Sequence, residues 1–219
     1  MPFVGVVLLV PSFDNPDLAY ETGVHLGDGS LDQYRYVISG DRPKELQYCQ
    51  RVLAPLVQRL YGLVPALAFE HNSIYLRIYS KELVAFKHDV LGLPIGVKKH
   101  IRFPSFSKQN DTSISNVISG LYDTDGSAKV RHNRSGDYPR ISLAQKHPEL
   151  VLETKALLES FGITSTFYRN DYADPRSGKI ETRWFLDING FRNFDLFIFS
   201  IGTRSPYMRE RLGAIDGIR

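Results

Sequence analysis

Only one cysteine, Cys49, occurs in 219 residues. That excludes an intramolecular disulfide and a cysteine-cluster zinc site, and it suits a reducing compartment. Long apolar runs are also missing. The best candidate, Pro2 to Pro11, is about ten residues long, too short to cross a bilayer, and has no basic leader. It reads as a buried strand or a packing arm. Charge of one sign is scarce too: 27 Lys+Arg against 24 Asp+Glu leave a net +3, so any argument for nucleic acid has to come from where the charges lie. Neither of the two Asp-Gly segments is followed by Gly-Lys-Ser/Thr, which removes a phosphate-binding loop. Asp123-Thr124-Asp125-Gly126 begins like a calcium loop, but Ala128 and Arg134 stand where glycine and glutamate are needed. These absences predict a soluble, cytoplasmic chain with no membrane partner. With 42% hydrophobic and 23% charged residues, it should fold as one large domain or two small ones that share a core.

What the sequence does contain is a repeat. An offset of 97 residues maps Thr22-Gly23 and Asp28-Gly29-Ser30 onto Ser119-Gly120 and Asp125-Gly126-Ser127. Asn15, Pro16 and Asp17 open a helix running to about Gly27, and Asp111 or Thr112 caps its counterpart, which reaches Thr124. Ala19, Gly23 and Gly27 lie four apart, as do Asn116, Gly120 and Thr124, so both helices carry a stripe of small residues suited to close backbone approach. Such packing brings Asp28 and Asp125 together at two helix C-termini, where the macrodipole favours a cation. Hard carboxylate oxygens suit Mg²⁺.

The order around each motif helix repeats as well. After the first come a strand at 33–39, an amphipathic helix at 44–60, strands at 65–71 and 73–79 turning at His71-Asn72, and a short helix from Lys81. After the second come strands near 128–132 and 138–144 joined by Asn133 to Gly136, a helix from His147 to Phe161, strands near 163–170 and 179–188, and a helix from Phe191. The pattern is αββαββα written twice, an α+β fold with pseudo-two-fold symmetry. The Pro- and Gly-containing link from Leu93 to Gln109 divides the chain into repeats at 1–105 and 106–219.

On these residues, Ile118 to Gly126 resembles the LAGLIDADG motif, with Gly120, Leu121, Asp123, Asp125 and Gly126 matching its letters. Glu21 to Gly29 keeps only Gly23, Asp28 and Gly29, and Tyr20 to Leu31 looks like the Gly-Asp-Gly variant of archaeal single-chain members. The resemblance is to monomeric, two-repeat LAGLIDADG homing endonucleases of the archaeal intron-encoded type. It covers nearly all the chain except the first 14 residues or so and the C-terminal tail. It implies two antiparallel sheets forming a DNA-binding saddle, cleavage of both strands of a long asymmetric duplex site, and Mg²⁺ (with Mn²⁺ able to substitute) held by Asp28 and Asp125 with help from the carbonyls of Gly27 and Thr124. It also implies that Gln145 and Lys146 act as the polar active-site pair after the second strand. The first repeat departs from this in its shortened first strand after Asp28 and in Gly40-Asp41-Arg42 at the matching place, which leaves either Arg42 or a residue of the Lys98-Lys99 linker as the substitute, or a half that works less well. The same fold also accommodates an RNA maturase or a nucleic-acid binder that does not cleave.

Strand alternation supplies the charge distribution. Tyr75, Arg77 and Tyr79 oppose Ile74, Leu76 and Ile78, while Lys179, Glu181, Arg183 and Phe185 oppose Ile180, Thr182, Trp184 and Leu186. Arg140 and Ser142 oppose Ile141 and Leu143, and Arg35 is the counterpart of Arg140. Any antiparallel sheet with one wet face alternates. Arginine and tyrosine recurring on several such faces, extended by Lys129, Arg131 and Arg134, point to a surface for double-stranded DNA. His25, His88 and His100 show no metal-ligand spacing and read as structural.

Overall fold

The computed structural model describes residues 8–134, 136–173 and 178–217. Two helices, α1 (Pro16–Asp28) and α5 (Asp111–Asp125), lie side by side at its centre. Asn15 caps α1, its Oδ1 accepting from Asp17 N at 2.9 Å. In α5 the cap is Asn110 rather than Asp111 or Thr112. Its extended backbone lets Oδ1 reach Ser113 N at 2.9 Å.

Each central helix runs directly into a sheet. In the first repeat β1 (Gly29–Leu31), β2 (Arg35–Asp41), β3 (Ala66–Glu70) and β4 (Ser73–Tyr79) form an antiparallel sheet of order β1-β2-β4-β3. In the second, β5 (Gly126–Arg131), β6 (Tyr138–Gln145), β7 (Thr166–Ala173) and β8 (Ile180–Asn189) take the equivalent order β5-β6-β8-β7. The remaining helices pack on these sheets: α2 (Arg42–Tyr48), α3 (Ala54–Tyr61) and α4 (Lys81–Ala85) in the first repeat, α6 (Pro148–Ser160) and α7 (Phe191–Ser200) in the second. This is the duplicated αββαββα order expected from the sequence.

Three departures matter. The helix expected at 44–60 begins at Arg42 and passes through a π-helical turn, Cys49–Leu53, before α3. Pro55 has no N–H to donate, and the wider turn just before it absorbs the missing bond. A further helix, α8 (Pro206–Asp216), follows α7, capped by Ser205, with Met208, Leu212 and Ile215 buried. The N-terminal run expected as a strand or packing arm lies partly outside the described residues. From residue 8 on it is an arm, with Leu8 against the core and Leu9 N donating to Tyr61 O at 3.0 Å.

Both central helices are buried almost all round, polar residues included. Glycine permits this. A Cβ on Gly23 would overlap the carbonyl oxygen of Val117, and one on Gly120 would overlap that of Tyr20. The two backbones touch, as the small-residue stripes predicted. In the first repeat's core, Glu21 and Lys87 form a fully buried ion pair at 2.6 Å, which Tyr61 Oη supplements by donating to Glu21 Oε2 at 2.8 Å.

Candidate active site

Because α1 and α5 meet along glycine, their C-termini arrive together and each delivers one aspartate. Gly27 abuts the side chains of Thr124 and Asp125, so a Cβ there would collide with Thr124 Oγ1 and Asp125 Oδ2. Both carboxyls are largely withdrawn from water. Burial raises Asp28 to about 6, with Lys98 opposing. Burial and the neighbouring charge of Asp28 raise Asp125 to about 8, against the opposing influence of Lys98 and a hydrogen bond from Gln145. Among the described residues no three His, Cys, Asp or Glu side chains are grouped to hold a metal ion. Asp28 and Asp125 are hard oxygen donors, a pair whose chemistry fits Mg²⁺ completing its shell with water and phosphate oxygens.

Two neighbours shape the pair. Gln145, at the core-facing end of β6, donates from Nε2 to Asp125 Oδ2 at 2.7 Å. Lys98 comes from the linker, which is held to the edge of β1 by Gly96 N donating to Leu31 O at 2.8 Å. Its ammonium donates to the carbonyls of His25 (2.7 Å), Leu26 (2.9 Å) and Gly27 (2.7 Å), the last turn of α1. Burial lowers this lysine to about 8, with Asp125 and Asp28 resisting. It acts as a built-in cation at the negative end of the helix.

Other expected site residues fall elsewhere. Arg42 turns away, its guanidinium 5.0 Å from the centroid of the Phe69 ring and outside the cavity that holds Asp28. Of the two linker and loop candidates, Lys98 reaches the acids and Arg42 does not. Lys146 is exposed on the open sheet face and pairs with Glu181 at 3.1 Å. Thr124 Oγ1 donates to Leu121 O at 3.0 Å. His25 is buried against Tyr36 with neither ring nitrogen bonded and is held neutral by burial, while His88 Nδ1 bonds the Leu93 carbonyl and His100 is on the surface.

Asp123 holds the structure together although it matches a motif letter. Its buried carboxylate accepts from Tyr20 Oη at 2.6 Å, Arg204 N at 2.8 Å, Ser205 N at 3.0 Å and Thr203 Oγ1. Arg204 continues the clasp, donating to Asp17 Oδ1 and Asn116 Oδ1, both at 2.6 Å. One acid thus ties the two repeats to the segment leading into α8. The repeat offset already separates the two acids, since Asp125 maps onto Asp28 and Asp123 onto Leu26.

The open sheet faces carry the expected side chains. Arg77 lies 5.1 Å from the Tyr75 ring centroid and pairs with Glu70, Tyr79 is exposed, and Arg35 pairs with Asp32. On the second sheet Lys129 and Arg131 are exposed on β5, with Arg134 exposed in the following turn and Lys179 before β8. Arg140 is fixed by Asn189 Oδ1 at 2.8 Å and Asp187 Oδ2 at 2.9 Å, and Arg183 lies 5.2 Å from the Tyr172 ring centroid. Asp187 also accepts from Ser142 Oγ at 2.6 Å, so this face is a preorganised polar network as well as a basic one.

Comparison with known proteins agrees with the fold. Residues 113–202 match the model of the LAGLIDADG-like domain. The homing endonuclease I-DmoI in complex with DNA and Ca is similar in structure, with a TM-score of 0.62 and 19% identity over 92% of this chain and 97% of that one. Full-length WhiA from Thermatoga maritima gives 0.54 and 18% over 95% of this chain and 61% of that one. In sequence, the chain is 26% identical over 169 residues to the ribonucleoside-diphosphate reductase NrdEB subunit alpha of Bacillus subtilis, covering 71% of this chain. It is 25% identical over 197 residues to reverse gyrase of Thermococcus kodakarensis, covering 90% of this chain. It spans only 15% and 10% of the lengths of those two proteins. Residues 113–202 thus form a LAGLIDADG-like domain, and the chain as a whole carries the two-sheet LAGLIDADG fold.

Proposed function

We propose that this protein is a site-specific endonuclease that cleaves both strands of a long, asymmetric DNA site. It would work as a monomer of two repeats, 1–105 and 106–219, using Mg²⁺ (or Mn²⁺) held by Asp28 and Asp125. The observation that carries the reading is the convergence of two half-buried carboxylates from separate repeats. Buried charges need a partner, and these two face each other with one lysine beside them. I-DmoI, whose fold is shared, has been solved with DNA and Mn, and with DNA and Ca.

When bound, the cation supplies Lewis acidity at the scissile phosphate. The chain's own residues do the rest. Gln145 fixes the Asp125 carboxylate and orients water on the second repeat's side. Lys98 offers positive charge where the phosphate gains negative charge. Lys146, on the open face, is available to a phosphate further along. The carbonyls of Gly27 and Thr124 are the backbone candidates for the metal, and a cation using Gly27 shares it with Lys98. Arg35, Arg77, Arg140 and Arg183, with the flanking tyrosines and lysines, read and hold the duplex.

The fold alone does not fix the chemistry, and WhiA has it too. An RNA maturase or a non-cleaving binder is the second reading. It is favoured by Lys98, whose ammonium already occupies the carbonyls at the end of α1. Selection of cleaved molecules from a randomised duplex library, with Mg²⁺ against EDTA, separates the two. Metal-dependent cutting at one long sequence supports the endonuclease, and binding without cutting supports the alternative.

A further inference from the structure

The two repeats differ at one core-facing position beside the acids. In the second, Gly126 pairs with Leu143, and two residues further along β6 stands Gln145. In the first, Gly29 pairs with Ile38, and two residues further along β2 stands Gly40. The neighbouring strands agree: Leu143 and Gln145 face Leu186 and Trp184, as Ile38 and Gly40 face Leu76 and Ile74. Gly40 is therefore the register equivalent of Gln145, without a side chain.

Another carboxylate fills the space. A Cβ on Gly40 would lie 2.6 Å from Glu45 Oε2 and 3.3 Å from Ile74 Cγ2. Glu45 enters from α2, where its Oε2 also accepts from Asp41 N at 2.5 Å and so has a fixed position. It lines the same cavity of about 950 Å³ as Asp28, Ser39 and Gly40. Its charge is felt by both Asp28 and Asp125.

Building on the endonuclease reading, we propose that Glu45 is the first repeat's active-site polar residue, delivered by helix α2 into the space left by Gly40, and that it accepts the proton of the attacking water there. In that step the water oxygen forms a bond to phosphorus and the bond from phosphorus to the leaving sugar oxygen breaks. The water proton passes to the Glu45 carboxylate and on to solvent, and the leaving oxygen takes a proton from solvent. The second repeat has an amide, which orients water but does not take its proton. The two strands are thus cut by chemically different halves.

The test is strand-resolved cleavage of a doubly end-labelled target by Glu45→Gln, with Mg²⁺, alongside DNA affinity in Ca²⁺ and thermal unfolding. The amide oxygen can still accept from Asp41 N, so a purely structural Glu45 is rescued by glutamine. The proposal predicts that one strand is cut at least ~100-fold more slowly while the other keeps its rate, so nicked duplex accumulates. Affinity and Tm should stay at wild-type values. The double variant Gly40→Gln/Glu45→Ala, which copies the second repeat, should restore part of the lost strand's rate. Wild-type cutting with both strands unaffected in Glu45→Gln, or slowed equally, overturns this proposal alone. Wild-type protein that cuts neither strand overturns the endonuclease reading and this proposal with it.

Discussion

Lys98 Nζ lies 2.7 Å from the carbonyl oxygen of Gly27, the residue just before Asp28. A linker residue thus supplies positive charge to the end of a helix whose own sequence places a carboxylate there. Lys98→Met removes that charge and leaves three carbonyls of α1 without their donor. Losing one partner of a buried charge cluster costs about 3–5 kcal/mol, so Tm of the metal-free protein should fall by several degrees. Cleavage should fall by about 100-fold if Lys98 also neutralises the phosphate. Unfolding curves and single-turnover rates measure the two effects separately.

The raised acids give a pH dependence of definite sign. An aspartate whose folded pKa lies above the unfolded value favours the native state when protonated. That contribution is complete below the ordinary value of 3.8 and is lost as pH rises through about 6 for Asp28 and about 8 for Asp125. In EDTA, Asp125→Asn should therefore gain stability relative to wild type between pH 4 and 8, reaching a few kcal/mol at about 1.4 kcal/mol per pKa unit. Mg²⁺ should narrow the gap by stabilising wild type alone. Urea unfolding of both proteins across that range checks the sign, and His25, which titrates in the opposite sense, cancels in the difference.

The helix interface predicts intolerance of a single methyl group. Gly23→Ala and Gly120→Ala each drive a Cβ into a backbone carbonyl of the other helix, where no flexible side chain can yield. Each should cost about 3 kcal/mol or more. Gly213→Ala, on α8 with open space around it, serves as the control and should be neutral or mildly stabilising by helix propensity. Chemical denaturation of the three variants makes the comparison.

The open faces predict a salt dependence that responds residue by residue. On the proposed function Lys129 contacts phosphate, so replacing it should weaken binding to all duplexes and reduce the slope of log K against log salt by about 1. Arg140 is held by Asn189 and Asp187; on the proposed function it reads a base edge, and its loss should relax preference at one position. Fluorescence anisotropy over a salt series distinguishes the two behaviours.

Much of this was legible because it depends on local rules. The paired Asp-Gly segments, the glycine stripes, the Asn15 cap and the alternation of Ile74, Leu76 and Ile78 fixed the helices, their contact and the wet faces. What escaped depends on contacts distant in sequence. Glu45 replaces a side chain missing from a strand before it, and Asp123 receives the chain from residues 203–205, while Lys98, a candidate in the sequence, shows only in the structure its bonds to a helix 71 residues earlier. Asn110 was overlooked beside two other good capping residues, and α8 because its mixed composition gives only a weak amphipathic pattern.

On the proposed function, Asp28 and Asp125 act as one cation site that drives cleavage. The most direct test is Mn²⁺ binding, measured by electron paramagnetic resonance on the DNA complex, for wild type, Asp28→Asn and Asp125→Asn, with cleavage followed in the same samples. Tight Mn²⁺ binding and double-strand cutting are expected in wild type, and loss of both in either variant while DNA affinity is retained. Cutting by either variant, or Mn²⁺ bound as tightly without these two carboxylates, would contradict it.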